Sequence, residues 1–150
     1  KQKSYLLPFA SSRPKRNKDL NIALIGDASS MINPMSGEGI FYGMEAGYLL
    51  AKNTHEIIHS EKLSDGIDLY EKEFSKRFRK HFLSCALARL VLQSPFMTKR
   101  LLRVASNDQD TIDFVVELLF DEAYLTLKEV LKIAYKFMIP TKLLTLSSKN

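Results

Sequence analysis

The residues best suited to chemistry lie in one stretch, NIALIGDASSMINPMSGEGIFYGMEAGYLLA, residues 21–51. Gly26 and Asp27 end an apolar run, Ile22-Ala23-Leu24-Ile25, and after a polar connection come Pro34, Gly37, Glu38 and Gly39. A carboxylate at the carboxyl end of a strand accepts hydrogen bonds from sugar or sugar-alcohol hydroxyls. Unpaired amides at the start of the next helix face negative charge or carbonyl oxygens. The two together suit an oxygen-rich cofactor. Gly37 and Gly39 let the backbone approach a flat ring, while Gly43 and Gly47 continue a bare helix face against which a strand, helix or cofactor can lie close, with tight packing favoured over ligand contact at Gly47.

Placing these groups requires a strand, an acidic turn, a glycine loop and a helix, in that order. Upstream, residues 4–10 (SYLLPFA) read as an edge strand because Pro8 would cost an interior strand a ladder hydrogen bond. Residues 11–19 (SSRPKRNKD) read as a basic surface connection. Downstream, Ser64-Asp65-Gly66 marks a linker and helix start, and residues 67–92 a long helix. Tyr70, Phe74, Phe78 and Phe82 recur there every four residues, joined by Ile67, Leu83, Ala86, Leu87, Leu90 and Val91 on the core face. Lys72, Lys76, Arg77, Arg79, Lys80 and His81 are expected on the opposite, solvated face. Ser94-Pro95 starts a short helix over 95–105, Asn107-Asp108 caps another over 111–120, and residues 124–139 form a last amphipathic helix ended by Pro140. The tail, residues 147–150, is expected to fray.

A chain of 150 residues supports one hydrophobic core. With 45% hydrophobic and 26% charged residues it is too apolar for disorder and too interrupted by charge for a membrane protein. No window approaches a transmembrane span, and the opening residues read as an internal segment. The single Cys85 has no ligand-spaced neighbours and reads as a buried thiol in a reduced, cytoplasmic setting. The net charge of +5 attracts anions, whether phosphate cofactors or a membrane surface in peripheral contact. Nucleic-acid binding is not expected, since no recognition module is present. His55, His59 and His81 do not make a metal set, and no G-x-S-x-G elbow supports nucleophilic hydrolysis.

Gly37, Gly39 and Gly43 do not meet G-x-G-x-x-G, because position 42 is Tyr, and there is no P-loop motif. What remains is a G-D turn followed by P-x-x-G-E-G-I. GDASSMINPMSGEGI resembles the second flavin motif of the FAD-dependent oxidoreductases related to p-hydroxybenzoate hydroxylase, and NPMSGEGIFYGMEAG is especially similar to the geranylgeranyl reductase family. LPFASSRPK and SPFMTKRLLRVASND also resemble that family's C-terminal region. The resemblance implies that Asp27 binds the flavin ribityl chain, that the Gly26 and Asp27 backbone lies near the pyrophosphate, and that Pro34 shapes the loop. It implies that Gly37, Glu38, Gly39 and Ile40 present backbone amides to the pyrimidine end of the isoalloxazine. Ser29 and Ser30 depart from the small apolar or glycine residues usual there.

The family's N-terminal glycine loop and much of its substrate sheet have no counterpart, so the chain is expected to be the C-terminal part of a longer enzyme. The implied fold is a mostly helical α/β fragment. Residues 1–60 would be a strand-loop-helix piece of a Rossmann-like FAD-binding domain and residues 61–150 a C-terminal helical region. The implied activity is FAD-dependent reduction of prenyl double bonds in an isoprenoid lipid, with the proton and electron donors unassigned and the isolated chain binding FAD weakly or not at all. Flavin-dependent monooxygenation or a related oxidation is the alternative within the same motif. A noncatalytic helical interaction module is the alternative outside it.

Overall fold

The computed structural model describes residues 8–10, 16–17, 20–59, 61–120 and 123–138. Its elements are β1 (Arg16–Asn17), β2 (Ile22–Ala23), a 3-10 turn (Gly26–Ser29), α1 (Ile40–Thr54), α2 (Leu63–Leu92), α3 (Pro95–Ala105), α4 (Gln109–Phe120) and α5 (Leu127–Met138). The architecture is mostly helical, as expected. The chain divides into two compact units, Lys1–Phe82 and Leu83–Asn150.

In the first unit β1 and β2 pair antiparallel, with Arg16 opposite Ala23 and Asn17 opposite Ile22. The apolar run 22–25 is strand only as far as Ala23, and at Gly26 the chain turns to φ +60° and opens the 3-10 turn. Arg16 and Asn17 are thus part of a small hairpin rather than of a plain connection. Of the expected edge strand over 4–10, residues 4–7 lie outside the described residues; Phe9 forms a parallel bridge to Ile32, and the Ala10 N–H donates to the Ile32 carbonyl at 2.7 Å. The expected fray at 147–150 also lies outside them.

The core of this unit is an aromatic ladder. Tyr70, Phe74, Phe78 and Phe82 from α2 are buried with Tyr42, Ala46 and Leu49 from α1 and Met31 from the preceding loop. Spacings of four and three put each set on one helix face. Phe74 meets Phe78, and Tyr42 meets Phe82, each pair with ring centroids 4.8 Å apart. Burying each such side chain is worth about 1.5–3 kcal/mol. The packing becomes close where α2 begins: a Cβ added at Gly66 would lie 2.5 Å from the Asn53 carbonyl oxygen at the end of α1. Lys52 also bridges to Glu73 at 3.2 Å, and Arg77 pairs with Glu45. The expected basic face of α2 is exposed at Lys72, Lys76, Arg77, Arg79 and Lys80, but His81 is fully buried. Position 81 falls three residues after Phe78 and seven after Phe74, which puts it on the core stripe.

The second unit packs α3 on α4 and α5. Each of these helices starts at a side-chain cap. Ser94 Oγ accepts from the Met97 N–H, with Pro95 in the first turn, and Asp108 Oδ2 accepts from the Thr111 N–H at 2.9 Å. Thr126 and Glu129 form a reciprocal box, the Thr126 N–H donating to Glu129 Oε2 at 2.8 Å and the Glu129 N–H to Thr126 Oγ1 at 3.3 Å. Cys85 is buried as expected, its thiol donating to the Leu118 carbonyl at 3.4 Å. Leu83, Leu87 and Leu90, expected in the core, are exposed instead. Among the described residues no helix is long and apolar enough to cross a membrane.

Candidate functional site

The Gly26–Asp27 turn and the loop 33–39 close on each other beside the start of α1. Gly26 (φ +60°) bends the chain out of β2, and the Met31 N–H returns to the Gly26 carbonyl at 3.1 Å while the Ser30 N–H returns to that of Asp27 at 2.9 Å. This tight return leaves the Asp27 side chain exposed at the turn. The loop is closed by Asn33. Its N–H donates to the Glu38 carbonyl at 2.7 Å, its carbonyl accepts from the Gly37 N–H at 3.0 Å, and its Oδ1 accepts from the N–H groups of Met35 at 2.8 Å and Ser36 at 3.2 Å. Gly37 takes φ +77° inside that loop, a conformation that costs an L side chain.

Between turn and loop lies a groove of about 650 Å³, lined by Ile25, Gly26, Asp27, Ile32, Gly37, Gly39, Ile40, Gly43, Met44 and Gly47. The volume falls within the roughly 300–1,000 Å³ range of small-molecule sites. Its walls come close because side chains are missing. A Cβ at Gly39 would sit 3.1 Å from Ile32 Cγ1 and 3.6 Å from Asp27 Oδ1, and one at Gly43 would sit 3.4 Å from Gly26 Cα. At Gly47 the neighbour is Ile25 Cδ1, 3.7 Å away, so these two glycines do pack tightly while also lining the groove. Gly39 caps α1 without a side-chain acceptor, and the first turn has no acidic residue. The helix therefore brings the positive end of its dipole to this place, with the Asp27 carboxylate beside it.

Of the seven residues singled out from the sequence, Gly26, Asp27, Gly37, Gly39 and Ile40 line this groove. Pro34 is buried beneath the loop next to Asn33, and the Glu38 side chain is exposed, its main-chain carbonyl serving to close the loop. Among the described residues no cluster of His, Cys, Asp or Glu could hold a metal ion.

Three polar residues at the site's base escaped the sequence reading: Asn33, Tyr42 and His81, exposed by 0%, 2% and 0%. Asn33 Nδ2 donates toward Tyr42 Oη at 3.3 Å and lies 3.1 Å from His81 Nε2, while Tyr42 Oη lies 2.8 Å from the same nitrogen. Two signals pointed to them: Asn-Pro at 33–34, a common turn initiator, and the helical period that places position 81 with Phe74 and Phe78.

The chain is similar to short parts of known enzymes. It is 30% identical over 63 residues to the 6-hydroxy-3-succinoylpyridine 3-monooxygenase of Pseudomonas putida, a match covering 42% of this chain and 16% of that protein. It is 56% identical over 32 residues to the menaquinone reductases of Mycobacterium tuberculosis and Mycolicibacterium smegmatis, covering 21% of this chain and 8% of theirs. The matched stretch thus spans about a sixth or less of the length of these relatives. No family model matches. No solved structure matches either.

Proposed function

We propose that residues 21–51 form one half of the flavin site of an FAD-dependent oxidoreductase. The reading rests on one observation: the Gly26–Asp27 turn and the Gly37–Gly39 loop converge on a single glycine-lined groove at the uncapped start of α1. The similarity to a monooxygenase and to reductases, redox enzymes by name, points the same way.

The donors and acceptors present fit that cofactor. Asp27 is an exposed acceptor for ribityl hydroxyls, and Gly37, with open space where a Cβ would stand, leaves bare backbone for a flat ring. The start of α1 supplies positive potential for negative charge at the pyrimidine end, an effect of about 0.3–1 kcal/mol when exposed and up to about 2 kcal/mol when partly buried. Ile25, Ile32, Ile40 and Met44 offer apolar contact to the ring. When bound, FAD supplies the redox chemistry; the chain holds it and sets its electrostatics.

Within that class, our reading is reduction of prenyl double bonds in an isoprenoid lipid. It is supported by the likeness of NPMSGEGIFYGMEAG to geranylgeranyl reductases and by the relatives named for menaquinone, an isoprenoid quinone. Monooxygenation is the second reading, favoured by the longer of the two matches. Reduction of a prenyl substrate without oxygen consumption supports the first, and oxygen incorporated into product supports the second.

The site itself is tested by Asp27→Ala in the whole protein. Loss of a charged acceptor is expected to weaken FAD binding about tenfold or more, the scale of a hydrogen bond to an ionised group. Unchanged affinity would instead favour a noncatalytic helical module with a structural turn.

A further inference from the structure

Asn33, Tyr42 and His81 form a fully buried polar cluster in a core rich in aromatic rings. His81 lies against Tyr42 and Phe82, with centroids 5.9 Å away in both cases. Burying polar groups here costs more than burying apolar side chains of the same size, even when they are hydrogen-bonded to one another. Packing alone gives no reason for them.

Their positions give one. Asn33 opens the 33–39 loop and Tyr42 stands in the first turn of α1, just after that loop ends. His81 belongs to α2 and reaches both. The cluster therefore pins the two ends of the glycine loop to a third, long helix.

Its hydrogen-bond directions follow from Asn33. Oδ1 is engaged by the N–H groups of Met35 and Ser36, so Nδ2 must be the atom directed at Tyr42 and His81. An amide nitrogen only donates, so the Asn33–His81 contact is a hydrogen bond in the tautomer that carries the ring proton on Nδ1, where the single lone pair of Nε2 accepts. Tyr42 Oη, which accepts from Asn33, shares that same lone pair as the nearer donor at 2.8 Å. If either donor is turned away, Asn33 Oδ1 also loses its fixed aim at the loop amides.

We infer that His81 and Tyr42 are positioning residues, which act through Asn33 to hold the 33–39 loop and the start of α1 in the arrangement that meets the cofactor. The role rests on the flavin reading for its ligand, but the loop's dependence on the cluster does not.

The test uses the whole protein with Tyr42→Phe, His81→Leu and His81→Gln. Gln offers an acceptor oxygen close to the place of Nε2, and Tyr42→Phe removes one oxygen with little change in packing. Hydrogen exchange of the Met35, Ser36 and Gly37 amides in the flavin-free protein is expected to quicken about tenfold in Tyr42→Phe and His81→Leu relative to the amides of Tyr70 to Phe78 in α2, and to stay near wild type in His81→Gln. FAD affinity, read by flavin fluorescence, should fall about tenfold in the first two variants and recover in the third. Equal changes in exchange of the loop and of Tyr70 to Phe78 in α2, or no rescue by Gln, would reduce the cluster to core filling and overturn the proposal. If the wild type binds no FAD, the flavin reading fails, and loop exchange alone still decides the positioning role.

Discussion

Gly37→Ala separates backbone strain from packing at the loop that defines the groove. Gly37 sits at φ +77°, and an ideal Cβ there has no atom within 4 Å. The substitution therefore causes no clash, and its cost lies in the left-handed conformation, about 1–2 kcal/mol for an L-residue. Restricting the unfolded chain returns about 0.4–1 kcal/mol, which leaves a net loss of about 1 kcal/mol. Gly37→Asn should cost less, since Asn enters this region more readily. Gly39→Ala is the control: φ is −135°, outside the left-handed region, but its Cβ would press on the buried Ile32 at 3.1 Å. Its cost is overpacking, up to about 1–3 kcal/mol if Ile32 cannot shift, and Asn there should be worse than Ala. Denaturant midpoints at constant slope measure all four variants. Asn better than Ala at 37 and worse at 39 is the expected pattern. Gly37→Ala as stable as wild type, or Asn no better than Ala at 37, would refute the assignment of strain to this loop.

Two further outcomes concern the supports of the fold. Gly66→Ala places a Cβ 2.5 Å from the Asn53 carbonyl, a backbone atom that cannot swing aside, so it should lower the melting temperature more than Gly39→Ala does. Burial pushes Asp108 upward, but its hydrogen bonds from Lys136 and Thr111 outweigh this and hold the carboxyl below its ordinary value. A depressed folded value means that the stabilisation is present above the unfolded value of about 3.9 and fades as pH falls through the folded one. Denaturation of the wild type should therefore show acid loss below about pH 4 that is smaller in Asp108→Asn, which keeps a cap for α4 but not the charge. Equal acid loss in both would assign the effect to other groups.

Much of the frame was legible along the chain because it depends on local chemistry. Ser94-Pro95 and Asp108 act where they stand, by offering an oxygen to an amide a few residues ahead. The Thr126–Glu129 box follows the same rule and could have been read from T-x-x-E, though it was not. The four-residue period of Tyr70 to Phe82 specified a buried face without needing to know what would cover it. The strand is shorter than its apolar run, and a glycine at φ +60° turns the chain just past that run.

Other features depended on residues far apart in sequence. Leu83, Leu87 and Leu90 fit the helical period but lie beyond Phe82, where α2 enters the second unit and buries Ser84 and Cys85 instead. His81 was read as one more charge on a solvated face, and only its neighbours Asn33 and Tyr42, from other elements, made it a buried acceptor.

The sequence alone determined that residues 21–51 hold a G-D turn, a glycine loop and a helix start, since glycine content and capping are local properties. Tertiary structure decided that turn and loop share one groove, and that the loop is tied from beneath to α2. Those facts come from closure of the chain at distances between groups that no local pattern encodes.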